Sequence, residues 1–162
     1  MRKRCPIVIV GMGNELLGDE GIGVTVARTL SSLAGRPRDV QVVEAGGSPL
    51  GLVHAIARRR KAVIVDCARM NEPPGTIRRF SPREVVSRKS LSGLSAHEGD
   101  VLDTLATSRM LGECPEEVVL FGIEPASMEP GAALSPVLRE RLAEYVAAVG
   151  SELGWLIEAE TP

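Results

Sequence analysis

Short aliphatic runs alternate with stretches of helical spacing along the first half of the chain. Ile7-Val8-Ile9-Val10, Val40 to Val43 and Ala62 to Val65 are rich in β-branched residues and read as buried strands. Between them, Val24, Ala27, Leu30 and Ala34 fall on one helical face, and Leu50, Val53, Ile56 and Ala57 mark a second, shorter helix. Strands alternating with helices predict βαβ units and a mainly parallel sheet.

The pattern changes after Asp66. Residues 67–75 hold Asn71, Pro73, Pro74 and Gly75 and carry no helical period. Without a crossover helix, the next strand, Thr76 to Phe80, is expected to run antiparallel to the third, and Arg78 and Arg79 mark it as an exposed edge. Pro82 to Val86 could make a helical turn, and residues 87–97 form a long aperiodic loop that delivers His97. A helix beginning near Glu98 follows, carrying Val101, Leu102, Leu105 and Ala106. Val118 to Phe121 give a fifth strand. Ser135 and Pro136 then read as cap and first-turn proline of one long helix with Leu138, Leu142, Tyr145, Val146 and Val149 on its apolar face. The tail around Trp155 reads as a short further helix.

Composition narrows the class. A chain of 162 residues with 44% apolar content suits a single domain, 1–162, and with 2% aromatics its core must be aliphatic. A net charge of −2 gives no reason to expect nucleic acid or an anionic membrane as partner. The basic run Arg58-Arg59-Arg60-Lys61 reads as a solvated helix end favoured by the helix dipole. The apolar stretch after Arg2-Lys3-Arg4 stops at Gly11, too short for a signal peptide, and no stretch could span a membrane. Cys5, Cys67 and Cys114 are odd in number and scattered, which favours a reducing compartment, so a cytoplasmic protein is expected.

The chemistry concentrates at strand ends. Gly11-Met12-Gly13-Asn14 follows the first strand, where backbone can turn sharply or lie against a ligand, and Asp19-Glu20 stand at the mouth of the first helix. Glu44-Ala45-Gly46-Gly47-Ser48 closes the second strand, and Asp66 closes the third. Should the third strand lie on the other side of the first from the second, Glu20 and Asp66 face a topological switch point. His97 could reach it from the long loop, and two carboxylates with an imidazole suit zinc, nickel, iron or cobalt. Each has a plainer reading: Asp19 and Glu20 as cap and dipole complement, Asp66 as a turn cap, His97 as a residue near a helix start. His54 is expected at the surface or half-buried, and Cys67 as a small buried residue.

The string Gly-x-Gly-Asn-x-Leu-x-x-Asp-Glu-Gly-x-Gly, residues 11–23, closely resembles the opening of the hydrogenase maturation endopeptidases. Pro74-Gly75-Thr76, Gly122-Ile123-Glu124-Pro125, Met128-Glu129 and Leu134-Ser135-Pro136 resemble later motifs of that family, in the same order. Glu44-Ala45-Gly46-Gly47-Ser48 is similar to its acid-Gly-Gly-Thr/Ser turn, departing at Ala45. The resemblance implies a three-layer α/β/α sandwich of the phosphorylase/hydrolase-like kind, with a mixed, mostly parallel five-stranded sheet of order 2-1-3-5-4 and strand 4 antiparallel. It implies an endopeptidase, grouped with aspartic-type peptidases, that clips the C-terminal extension from a nickel-loaded hydrogenase large-subunit precursor. Its metal-binding acid, strand-three aspartate and loop histidine fall on Glu20, Asp66 and His97, with Glu20 and Asp66 also the candidates for catalysis. Gly13, Asn14, Asp19 and Gly46 are expected to touch substrate. Nickel is expected on the precursor, with cadmium or zinc as stand-ins in vitro, and the protein is expected to work as a monomer.

Two rivals remain at this point. Peptidyl-tRNA hydrolases also open with a strand and Gly-x-Gly-Asn, but continue with Pro-Gly and an early histidine, both absent here. A nucleotide-binding α/β module would use the first glycine loop and Glu44, but Leu16 stands where G-x-G-x-x-G needs its third glycine.

Overall fold

Alternation within each aliphatic run sorts its side chains onto the two faces of one sheet. The computed structural model describes residues 4–85 and 96–155, with 96–100 given as helical backbone alone. Strands β1 (Ile7–Met12), β2 (Val40–Gly46), β3 (Lys61–Cys67), β4 (Ile77–Phe80) and β5 (Glu117–Ile123) form a sheet of order β2-β1-β3-β5-β4. Every neighbouring pair is parallel except β4 with β5. The fourth strand thus runs in the expected direction, with β5 between it and β3.

Ile7, Ile9, Val63, Val65 and Phe121 point to one face, where α1 (Ile22–Ser32) packs with Tyr145, Val146 and Val149. Val8, Val10, Ile64 and Leu120 point to the other, under α2 (Pro49–Ile56) and α3 (Ala96–Met110). The result is the expected α/β/α sandwich. Trp155 is buried on the α1 side, its indole lying towards Gly35. The tail beyond Trp155, like the 86–95 segment, lies outside the described residues.

Three expectations are corrected. Leu50 is 77% exposed, standing with exposed Ser48 and Pro49 at the start of α2, while Leu52, Ala55 and Ile56 make its buried face. Helix α1 ends at Ser32, leaving exposed Ala34 beyond it. The last helix is two, α4 (Pro136–Glu140) and α5 (Leu142–Ser151), broken at Arg141, whose φ and ψ of −94° and 5° leave the helical region. Ser135 stands before α4 but makes no side-chain cap.

The basic run is not one solvated face. Lys61 begins β3 and pairs with Glu152 at 2.9 Å and Glu117 at 2.8 Å, while Arg79 binds Glu152 at 2.7 Å. Arg79 and Lys61, against the opposing effect of burial, hold the Glu152 carboxyl at about 2. A depressed carboxyl stabilises the fold above its unfolded value, and that contribution disappears as pH falls through the folded one. Glu152→Gln should therefore cost about 1–2 kcal/mol at pH 7, discounted because Arg79 is half exposed. Urea unfolding of the two proteins should converge as pH is lowered from about 4.5 towards 2.

Candidate functional site

Two glycines let α1 sit directly on the carboxyl ends of β1 and β3. A Cβ on Gly23 would lie 2.3 Å from the Val65 carbonyl oxygen and 2.4 Å from that of Met12, and one on Gly11 would lie 2.4 Å from the Gly23 carbonyl oxygen. The 3-10 segment Glu15–Gly21 that precedes α1 is thereby held over the junction between β1 and β3, beside Asp66. That junction is the topological switch point, since the chain leaves β1 for β2 on one side and returns to β3 on the other.

Four carboxylates converge there. Asp66, Glu20, Asp19 and Glu124 all act on the Cys67 thiol, which is buried and lies 3.9 Å from the Met128 sulfur. Burial first, then these negative charges, push the thiol far above its usual range. Cys67 is therefore a protonated core residue at neutral pH, not a nucleophile.

The four acids differ in what they hold. Asp19 has no exposed surface, and its carboxylate accepts from the backbone N–H of Ser135 at 2.7 Å, Ala126 at 2.9 Å and Ser127 at 3.0 Å. The Asp19 N–H in turn donates to the Ser127 carbonyl at 3.0 Å. Burial pushes this carboxyl up, but the donors from Ser135, Ser127 and Ala126 outweigh it and hold it below its usual range. Asp19 thus ties the 3-10 segment to the loop after β5 and is not available to a substrate. Glu124 is buried and accepts from the Met70 N–H, fixing the loop after β3.

Glu20 and Asp66 are the other two. Glu20 is 5% exposed, and Asp66 is half-buried with its Oδ1 accepting from the Cys67 N–H at 2.8 Å. Asp66 also borders a small cleft lined by Ile64, Phe80, Val101 and Leu120. Its apolar walls lower the dielectric around any charge at this mouth.

The remaining sequence candidates have varied fates. Gly13 adopts a φ of +123°, its N–H donates to the Gly46 carbonyl at 2.9 Å, and a Cβ would lie on the Glu20 carbonyl oxygen. It positions Glu20 by letting the backbones touch. Asn14 is exposed and caps the 3-10 segment through the Leu16 N–H at 3.0 Å. Gly46 is half-buried, with a φ of +58° at the end of β2. His97 falls in the first turn of α3, which begins two residues before Glu98; its side chain lies outside the described residues. His54 is exposed, as expected. Glu44 and Glu15 both bind Arg28, at 2.8 and 2.7 Å, on the surface. Glu124 and Met128 were visible in the sequence only as parts of motifs; their part in enclosing Cys67 depends on contacts across 50 residues or more.

Among the described residues, no three His, Cys, Asp or Glu side chains are grouped to hold a metal by themselves. The oxygens of Glu20 and Asp66 nevertheless suit a divalent cation, and the negative surroundings of the Cys67 thiol favour positive charge. No helix among the described residues is long and apolar enough to cross a membrane.

A family model for hydrogenase maturation proteases matches residues 24–152. The hydrogenase 2 maturation protease of Escherichia coli is 31% identical over 152 residues, covering 91% of this chain and 92% of that protein. The hydrogenase expression/formation protein HupD of Thiocapsa roseopersicina is 30% identical over 158 residues, covering 93% and 72%. Among solved structures, the hydrogenase maturating endopeptidase HybD of Escherichia coli superposes with a TM-score of 0.77 at 30% identity, covering 91% of this chain and 93% of that one. The nickel–iron hydrogenase maturation protease HycI of Thermococcus kodakarensis gives 0.74 at 26% identity, covering 94% of each chain.

Proposed function

Because this chain belongs to the hydrogenase maturation protease family, we propose that it removes the C-terminal extension of a nickel-loaded hydrogenase large-subunit precursor. The observation that carries this reading is the pair Glu20 and Asp66 at the switch point, in a pocket already crowded with negative charge. The carboxylate oxygens of this pair are the donor type that a divalent metal takes. Two carboxylates leave coordination positions open, and a precursor that brings nickel on its own thiolates fills them. His97, in the first turn of α3, is the third protein ligand in this proposal.

Anchoring the metal fixes the neighbouring peptide bond, so hydrolysis gains from proximity. A precursor without nickel lacks the anchor and is spared. Glu20 is buried and suited to holding the cation, whereas Asp66 is more open and stands where a water can reach it as general base. A water nucleophile agrees with the protonated state of Cys67. Cadmium or zinc would replace nickel in vitro. We place the activity in the cytoplasm, carried by a monomer, with no part for nucleic acid. Family membership sets aside both the tRNA-hydrolase and the nucleotide-module readings.

The test is processing of matched precursors by the purified protein. Nickel-loaded precursor should be trimmed and nickel-free precursor left intact. Equal trimming of both would overturn the anchor.

A further inference from the structure

At the end of the sheet opposite Asp66, the segments leading into β1, β3 and β5 border a cleft that is open to solvent. Its charged lining is Arg4, Arg58, Arg59, Arg60, Glu113 and Glu116, a surplus of two positive charges, with His54 beside them. Among the described residues, only Arg58 of these arginines is ion-paired, with Glu113 at 2.9 Å.

Arg59 is the unusual member. It is 6% exposed, yet its guanidinium meets only neutral acceptors: the carbonyls of Ala55 and Cys5 and the side-chain oxygen of Gln41. A buried charge normally keeps a counter-ion. Here the nearby charge is another guanidinium, that of Arg4, which adds to burial in pushing Arg59 below its usual range. Arg4 itself donates to the carbonyls of His54 and Ala57, at 2.9 and 3.2 Å. These carbonyls close the C-terminus of α2, and a helix end offers about half a negative charge. Two full positive charges exceed it.

Donors also remain. A guanidinium carries five N–H groups. Among the described residues Arg59 uses three, in its bonds to Ala55, Cys5 and Gln41, which leaves one on each terminal nitrogen. Arg60 is exposed and makes no ion pair among the described residues. Forked N–H groups with surplus charge match the oxygens of phosphate.

We propose that this cleft is a binding site for a multiply charged phosphate-type oxyanion, held by Arg4, Arg59 and Arg60. The site lies about 20 Å from Asp66, the length of β3, and does not depend on the proteolytic reading. Three guanidinium groups around one cleft suit an anion of more than one charge.

Pyrophosphate is the probe, titrated calorimetrically into the full chain at ionic strength matched with sodium chloride. Saturable binding is expected, with a rise in melting temperature that chloride does not reproduce. Arg60→Gln leaves the fold intact, since Arg60 is exposed and its structural bonds are backbone ones, its N–H to the Pro6 carbonyl and its carbonyl from the Glu117 N–H. It should weaken pyrophosphate about tenfold or more, whereas Arg78→Gln, on the distant β4 edge, should not. No saturable heat, or binding unchanged by Arg60→Gln, overturns the site. Binding of a glutamate-rich peptide without binding of pyrophosphate overturns the oxyanion ligand in favour of an acidic protein partner.

Discussion

Asp66→Asn should abolish precursor processing and leave the protein folded. Asparagine keeps the side-chain oxygen that accepts from the Cys67 N–H and nearly the same volume in a half-buried place, so stability should stay within about 1 kcal/mol of the parent. What disappears is the negative charge that a cation or a proton would need. A general base alone is worth about 10²-fold or more, and the loss of a metal-binding oxygen adds to that. Thermal unfolding and processing of nickel-loaded precursor, measured on one preparation, separate the two roles. Normal processing by the variant would reduce Asp66 to a turn cap. Cys67→Ser supplies the contrast: a thiol held protonated has no nucleophilic part to lose, so processing should survive that exchange.

The physical reasons why some of this was legible in the sequence, and some was not, differ by element. Strand positions and strand direction follow from local features: β-branched runs, crossover helices of fixed period, and a proline-rich connection too irregular for a crossover; the order of the strands in the sheet follows only from the resemblance to the family. The carboxylates at the ends of β1 and β3 follow too, because strand ends in such sheets converge on a switch point. Burial of charged residues is another matter. Arg59 and Arg60 are neighbours in one basic run, yet one is buried at the end of α2 and the other exposed, a difference set by how β3 begins. Leu50 has the spacing of a core residue, but the buried face of α2 is set by Leu52, Ala55 and Ile56, and Leu50 is exposed. Asp19 and Glu20 are adjacent acids at one helix mouth, and what divides them is a loop more than 100 residues away.

That division makes Asp19 the site of the largest expected loss of stability. Its carboxylate receives three backbone N–H groups, from Ala126, Ser127 and Ser135, in a place with no solvent access. In Asp19→Ala all three donors lose their partner inside the protein, at about 1–3 kcal/mol each before relaxation, which together rivals the whole stability of a domain. Asp19→Asn keeps the shape but turns an NH₂ group towards N–H donors, so it should also unfold at markedly lower urea. Because the Asp19 carboxyl is held below its usual value near 3.8, the parent should lose this contribution as pH falls below that value. The Asn variant, with no such group to titrate, should show a shallower acid limb. Glu20 stands on the same segment, so Asp19→Asn should lose processing together with stability, whereas Asp66→Asn loses processing alone. Full stability with lost processing in Asp19→Asn would put Asp19 in contact with substrate and refute its role as a tie.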